Sequence, residues 1–169
     1  GLRKIDPVTD AYLKEDSYLE MDTVQLRGVD RTTRSTSAVL DKGAKIVVRE
    51  RIMTDGDEDA VTKFRVELNG EDCGADLVSR SVARGNSHQA FYSVIEGNTR
   101  CTGHSACDAI LAENGRVDAQ PALNAANVDA ALIHEAAIGK IAGEQRLKLC
   151  SLGLTREEAE EKIIEGFLK

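Results

Sequence analysis

Between residues 38 and 142 the sequence repeats one unit: a short apolar run, then a polar stretch in which glycine sits beside Asp or Asn. The runs are Ile46-Val47-Val48, Phe64 to Leu68, Ala75 to Val82, Ala90 to Ile95, Ala106 to Leu111, Val117 to Leu123 and Ala130 to Ile133. Asp55-Gly56, Asn69-Gly70, Gly85-Asn86, Gly97-Asn98 and Asn114-Gly115 separate many of them. Such dipeptides supply the positive φ of tight turns. Successive turn glycines lie about 12 to 18 residues apart. Short runs at near-even spacing predict strands, and so an all-β domain. A barrel, a sandwich and a solenoid all satisfy this pattern. Aromatic residues make up only 4% and Trp is absent. A core of Ala, Val, Ile and Leu suits the narrow coil of a solenoid, where small residues fill inward positions.

The two ends differ from this middle. Residues 1–23 are acidic and irregular in pattern, with Asp6-Pro7 read as a turn. The stretch from Ala11 to Met21 fits a short helix or a strand. Residues 30–37 are rich in Thr and Ser and fit a loop or an exposed strand face. Residues 143 to about 151 read as a short helix that Gly153 terminates. Thr155 and Glu158 then form a capping box. Ala159, Ile163 and Phe167 recur at helical spacing, which predicts a second helix of about 14 residues. The expected organisation is an irregular segment (1–37), a β core (38–142) and a helical region (143–169). Two helices appended to a β domain either cap an open end or form a docking surface.

At 169 residues the chain is sized for one domain. Acids outnumber bases 29 to 22, for a net charge of −7. That balance argues against a general binder of nucleic acid or anionic membrane, because phosphate affinity needs clustered Lys and Arg. No apolar run approaches the ~18 residues that cross a bilayer. No basic region followed by an apolar one opens the sequence, so a cytoplasmic protein with reduced thiols is expected. The cysteines are Cys73, Cys101, Cys107 and Cys150, without a Cys-x-x-Cys pair. A small buried apolar role is the default for each. One unbroken strand would put Cys101 and Cys107 on one face, whereas a turn at Gly103 would reset them. His104 reads as a turn or surface histidine. No phosphate-binding G-x-x-x-x-G-K-[ST] run occurs. Three Phe and three Tyr offer no aromatic sugar platform, which argues against a polysaccharide-cleaving solenoid. A non-enzyme is expected.

One stretch has a specific likeness. It contains Ala106-Cys107-Asp108-Ala109-Ile110-Leu111, then His134-Glu135-Ala136-Ala137-Ile138-Gly139-Lys140-Ile141. Glu144-Gln145, Leu152-Gly153-Leu154-Thr155 and Ile163-Ile164-Glu165-Gly166-Phe167 follow in order. This series resembles the C-terminal part of the SufB/SufD family, scaffold proteins of Suf-type iron–sulfur cluster assembly. The His-Glu pair resembles the SufB members more than the SufD members. The resemblance implies a right-handed parallel β-helix with a small C-terminal helical region. It also implies a homodimer, or a heterodimer with a relative, formed near the end of the β-helix. A SufC-like ABC-type ATPase would dock on helices matching 143–169.

The resemblance further implies that Cys107, Glu135 and His134 bind a transient iron–sulfur cluster, presented across a two-fold interface. Thiolate with imidazole and carboxylate makes a labile mixed set that suits a cluster to be released. Against this, Cys107 shares a strand face with Ala109 and Leu111, as a buried structural cysteine would. His134 and Glu135 are adjacent, so on a strand they point to opposite sides. Family members are longer, and no match to a sulfur-accepting cysteine is found here.

Overall fold

The computed structural model describes residues 1–26 and 28–169. Among these residues eleven strands precede two helices. They are β1 (Lys4–Ile5), β2 (Val8–Leu13), β3 (Tyr18–Leu26), β4 (Arg31–Leu40), β5 (Lys45–Thr54), β6 (Asp59–Leu68), β7 (Gly74–Ala83), β8 (His88–Gly97), β9 (Cys101–Leu111), β10 (Arg116–Ala125) and β11 (Ala130–Lys140). The helices are α1 (Gly143–Ser151) and α2 (Arg156–Phe167).

The chain passes alternately between two sheets. One holds β1, β2, β4, β6, β8 and β10; the other runs β11-β9-β7-β5-β3. From β2 onward each strand pairs in parallel with the strand two places later in sequence. This is the parallel β-helix expected from the sequence. A parallel neighbour cannot be reached by a hairpin and needs a crossover. Here the opposite sheet's strand is that crossover. Arg31 stands beside Asp59, Asp59 beside His88 and His88 beside Arg116, so a full coil takes 28 or 29 residues. The turn-glycine spacing had registered half a coil.

Alternate residues of each strand face the lumen. In the first sheet Ala38, Val66, Ile95 and Leu123 stack in one inward column. In the second, Met21, Val48, Leu77, Ser105 and His134 do so. Leu40, Ile46, Leu68, Leu77 and Ile95 are fully buried. Phe64 and Phe91 meet edge to face with centroids 5.9 Å apart, the favoured aromatic geometry.

The turns stack as well. Asn86 N–H donates to Gly56 O, and Asn114 N–H donates to Gly85 O. Asn114 also donates its side-chain amide to Asn86 Oδ1. Gly56, Gly85 and Glu113 share the left-handed conformation at matching turn positions.

The N-terminal segment departs from expectation. Residues 1–37 contain β1, β2, β3 and most of β4 instead of irregular chain. The stretch from Ala11 to Met21 spans the end of β2, a turn and the start of β3. In the first part of β4 the inward residues are Thr32, Arg34 and Thr36, so both faces are polar there and the apolar period begins only at Ala38. The helical region behaves as expected, with the Thr155–Glu158 capping box formed. α2 does not plug the last coil. Its Ile164 packs on Met53 and Val82, on the outer flank of the second sheet, with Ile110, Phe167 and Leu168 alongside. Among the described residues no helix is long and apolar enough to cross a membrane.

Gly85 has φ +61°, and a Cβ there would lie 2.6 Å from Gly56 N. Gly85→Ala therefore combines backbone strain with a clash against unyielding main chain. It should cost roughly 1–3 kcal/mol, measured by urea unfolding; an unchanged midpoint would contradict the turn stack.

Candidate functional site

The last two coils hold all three residues singled out from the sequence. β9 is unbroken through Gly103, so Cys101 and Cys107 both face inward. In Cys107's column the neighbours are Ser79 on one side and Ala136 of the final strand on the other. The Cys107 side chain is 1% exposed. Burial, with Asp108 and Glu50 adding negative charge, pushes its thiol up to about 11. At pH 7 only about one molecule in 10⁴ would carry the thiolate. The lumen beside it leaves a void of about 10 Å³, room for one water at most.

His134 and Glu135 diverge, as adjacent strand residues must. His134 faces the lumen in the column of Ser105. Its Nδ1 is buried and has no hydrogen-bond partner among the described residues. A buried polar nitrogen without a partner is unusual and asks for a ligand. Glu135 lies on the outer face, with Oε2 3.6 Å from His104 Nε2. His104, expected in a turn or on the surface, stands on the outer face of β9, and Asp76 Oδ1 lies 2.7 Å from its Nδ1. The structure thus brings Cys107 and His134 to one side of the last coil and places Glu135 on the other. Among the described residues no group of three or more His, Cys, Asp or Glu side chains is arranged to hold a metal ion.

The last coil is open. Among the described residues β10 and β11 pair on one side only. Ile133 and Ile138 are exposed large apolar side chains on β11, and Val128 is exposed in the turn before it. α1 buries none of its residues, and Leu147 and Leu152 are 70% and 72% exposed.

Deeper in the lumen lies a polar group that the sequence reading missed. Glu50 is 2% exposed. It accepts hydrogen bonds from Thr62 Oγ1 and Ser79 Oγ, each at 3.0 Å. Arg34 Nε stands 3.6 Å from the same carboxylate. Burial raises the Glu50 pKa, and the two hydroxyls and Arg34 only partly oppose this. The available signal was the polar inward parity of Arg34 and Thr36 in β4 and of Thr62 in β6. It could not be read without knowing which face was inside.

On the outer face of the first sheet, His88 lies between two carboxylates. Its Nδ1 is 2.8 Å from Asp59 and its Nε2 2.9 Å from Asp118. The bond to Asp118, then that to Asp59, raises its pKa.

A family model for the SufBD core domain of the SUF system of FeS cluster assembly matches residues 7–167. This protein is a member of the SufBD family. A SufBD family protein of iron–sulfur cluster assembly from Archaeoglobus fulgidus is 30% identical over 167 residues, which are 98% of this chain and 45% of that protein. One from Methanothermobacter thermautotrophicus is 36% identical over 117 residues, 67% of this chain and 28% of the relative. One from Pyrococcus horikoshii is 36% identical over 106 residues, 62% of this chain and 24% of the relative. The chain thus spans less than half the length of these SufBD relatives. Its match includes all the residues that build the last two coils.

Two outcomes test this geometry. Iodoacetamide at pH 7.5 should label Cys150 at least tenfold faster than Cys107 in the folded protein, since only the thiolate reacts. The difference should vanish in urea, read by peptide mass spectrometry. The Glu50 carboxylate has a folded pKa above its unfolded value, so it lowers stability as pH rises through that window. Glu50→Gln should therefore melt at or above the parent at pH 7.5, with the gap closing toward pH 5. Glu50→Ala strands Thr62, Ser79 and Arg34 and should cost about 1–3 kcal/mol.

Proposed function

We propose that this chain is a Suf-type assembly scaffold that holds a nascent iron–sulfur cluster as cargo. The observation that carries this reading is the shared direction of Cys107 and His134. Both side chains point into the lumen of the last two coils, and the imidazole nitrogen there lacks a partner among the described residues. A thiol and an imidazole are two donors, fewer than a cluster needs. The rest come from sulfide and from a second subunit seated on the open coil. In this arrangement Glu135 serves from the outer wall at the subunit boundary. The unpaired edges of β10 and β11, with the exposed Ile133 and Val128, support pairing there, with another copy or with a longer relative. An incomplete mixed set holds a cluster weakly, which suits release.

The helices serve the partner that supplies energy. α2 is fixed to the β-helix through Ile164, whereas α1 presents Leu147 with none of its residues buried. That combination supports docking of an ABC-type ATPase of the SufC kind on 143–169. A second reading keeps the dimer and ATPase surfaces without cluster building. The protonated, enclosed state of Cys107 favours it.

Anaerobic reconstitution with iron and sulfide separates the two. A scaffold should develop visible cluster absorbance with bound iron, and Cys107→Ala should remove most of both. Size-exclusion chromatography with light scattering reads the assembly state in the same samples. A dimer without iron in either protein would overturn the scaffold reading and leave the interaction module.

A further inference from the structure

The helical region does not lie flush against the β-helix. A cleft of about 450 Å³ separates them, within the size range of small-molecule sites. Its walls come from stretches far apart in sequence: the turns after β7 and β9, the end of β11, and both helices. Four cationic side chains line it, Arg84, Lys140, Arg146 and Arg156, against two carboxylates, Glu113 and Glu160. The chain as a whole has a net charge of −7, so an excess of cations here runs against the composition. Both carboxylates are already engaged. Glu113 Oε2 accepts the Gly85 N–H at 2.8 Å and so belongs to the turn stack. Glu160 Oε1 accepts from Arg146 Nη1 at 3.0 Å and from Arg156 Nε at 3.5 Å. One oxygen thus serves two guanidiniums, each of which has five N–H donors. The Arg146 side chain is 28% exposed, and partial cover weakens the competition of water for its spare donors. Among the described residues the Arg84 and Lys140 side chains have neither an ion pair nor a hydrogen bond, although both line the cleft.

We propose that this cleft binds a small phosphate polyanion, either inorganic or carried on an organic body. Two cations are left over once Glu113 and Glu160 are counted, so the ligand that balances the cleft carries two or more negative charges. A lone carboxylate falls short of that. Phosphate oxygens match the guanidinium fork two at a time, and Lys140 adds a point charge. Leu111, Ile141 and Ile164 form an apolar wall beside the cations, where the body of an organic phosphate would rest. The binding has a mechanical effect. α1 buries none of its residues and reaches the ligand through Arg146, whereas Arg84 and Lys140 belong to the coils. A bound polyanion therefore ties α1 to the β-helix. None of Cys107, His134 and Glu135 lines the cleft, so this proposal stands or falls apart from the scaffold reading.

Isothermal titration calorimetry of the full chain with pyrophosphate and with ADP, free of metal and at constant ionic strength, tests this. Each probe should bind once per chain, with an affinity that falls as salt is raised. Arg84→Gln and Lys140→Gln break no ion pair of the fold, and each should weaken binding about tenfold. Lys140→Arg keeps the charge and should retain binding. Arg116→Gln makes the same charge change on the outer face of the first sheet and should leave the affinity within about twofold. Hydrogen exchange across Gly143–Ser151 should slow when the probe is bound. ADP binding more tightly than pyrophosphate assigns an organic phosphate resting on the apolar wall; ADP binding equally or more weakly assigns the inorganic anion. Absence of binding by both probes at millimolar concentration would overturn the proposal. A loss with Arg116→Gln as large as that with Lys140→Gln would overturn it too, leaving only general surface charge. Poly-glutamate that binds where neither phosphate probe does would overturn it in favour of an acidic protein segment.

Discussion

A parallel strand has no hydrogen-bond partner within its own coil. Its amides and carbonyls are satisfied only by the coils above and below, so the 28- or 29-residue repeat governs everything else in the molecule. Once that repeat is set, pleating decides which side chains enter the lumen and which face water. Cys107 and His134 are inside and Glu135 and His104 outside for this reason alone. A single inserted residue within β9 or β11 would invert the residues that follow it. The turn stack with its left-handed positions keeps the count, since each turn hydrogen-bonds to the next.

The lumen is not uniform along the strands. Near one end of each strand it is aliphatic, with Leu40, Leu68, Ile46 and Ile95 closing it completely. Nearer the middle it admits Arg34, Glu50, Thr62, Ser79 and Cys107. A buried carboxylate is costly unless its acceptors are occupied. Here two hydroxyls and a guanidinium do that, yet burial still prevails and the acid holds its proton more tightly. The same desolvation acts on Cys107, only a coil or two away. Both acids are pushed toward their neutral forms by the enclosure that gives the fold its stability.

Much of the fold was legible because turn glycines and apolar runs are local signals. The helix starting at Thr155 was also legible, since a capping box is a four-residue device. The β strands before residue 38 were not. Their inward positions in β4 are filled by Thr and Arg, so hydrophobic period and burial part company there. Of the site, Cys107, His134 and Glu135 came from likeness to a family, and the divergence of His134 from Glu135 came from parity. What escaped was every relation across coils. Asp76 and His104 are 28 residues apart, Glu50 and Ser79 are 29, and no local pattern links such pairs until the coil length is known.

The seat of α2 has a mechanical consequence. Met53, Val82 and Ile110 are register neighbours from three successive coils, and one helix rests across them. Solenoids tend to fray from a free end, each coil relying on its neighbour. A helix spliced across three coils turns the end into a unit that must detach together. Peeling of the last coil would stall at this splint, so unfolding should be slow in comparison with an unsplinted stack of equal stability. Any pull on the helix would likewise be felt by three strands at once.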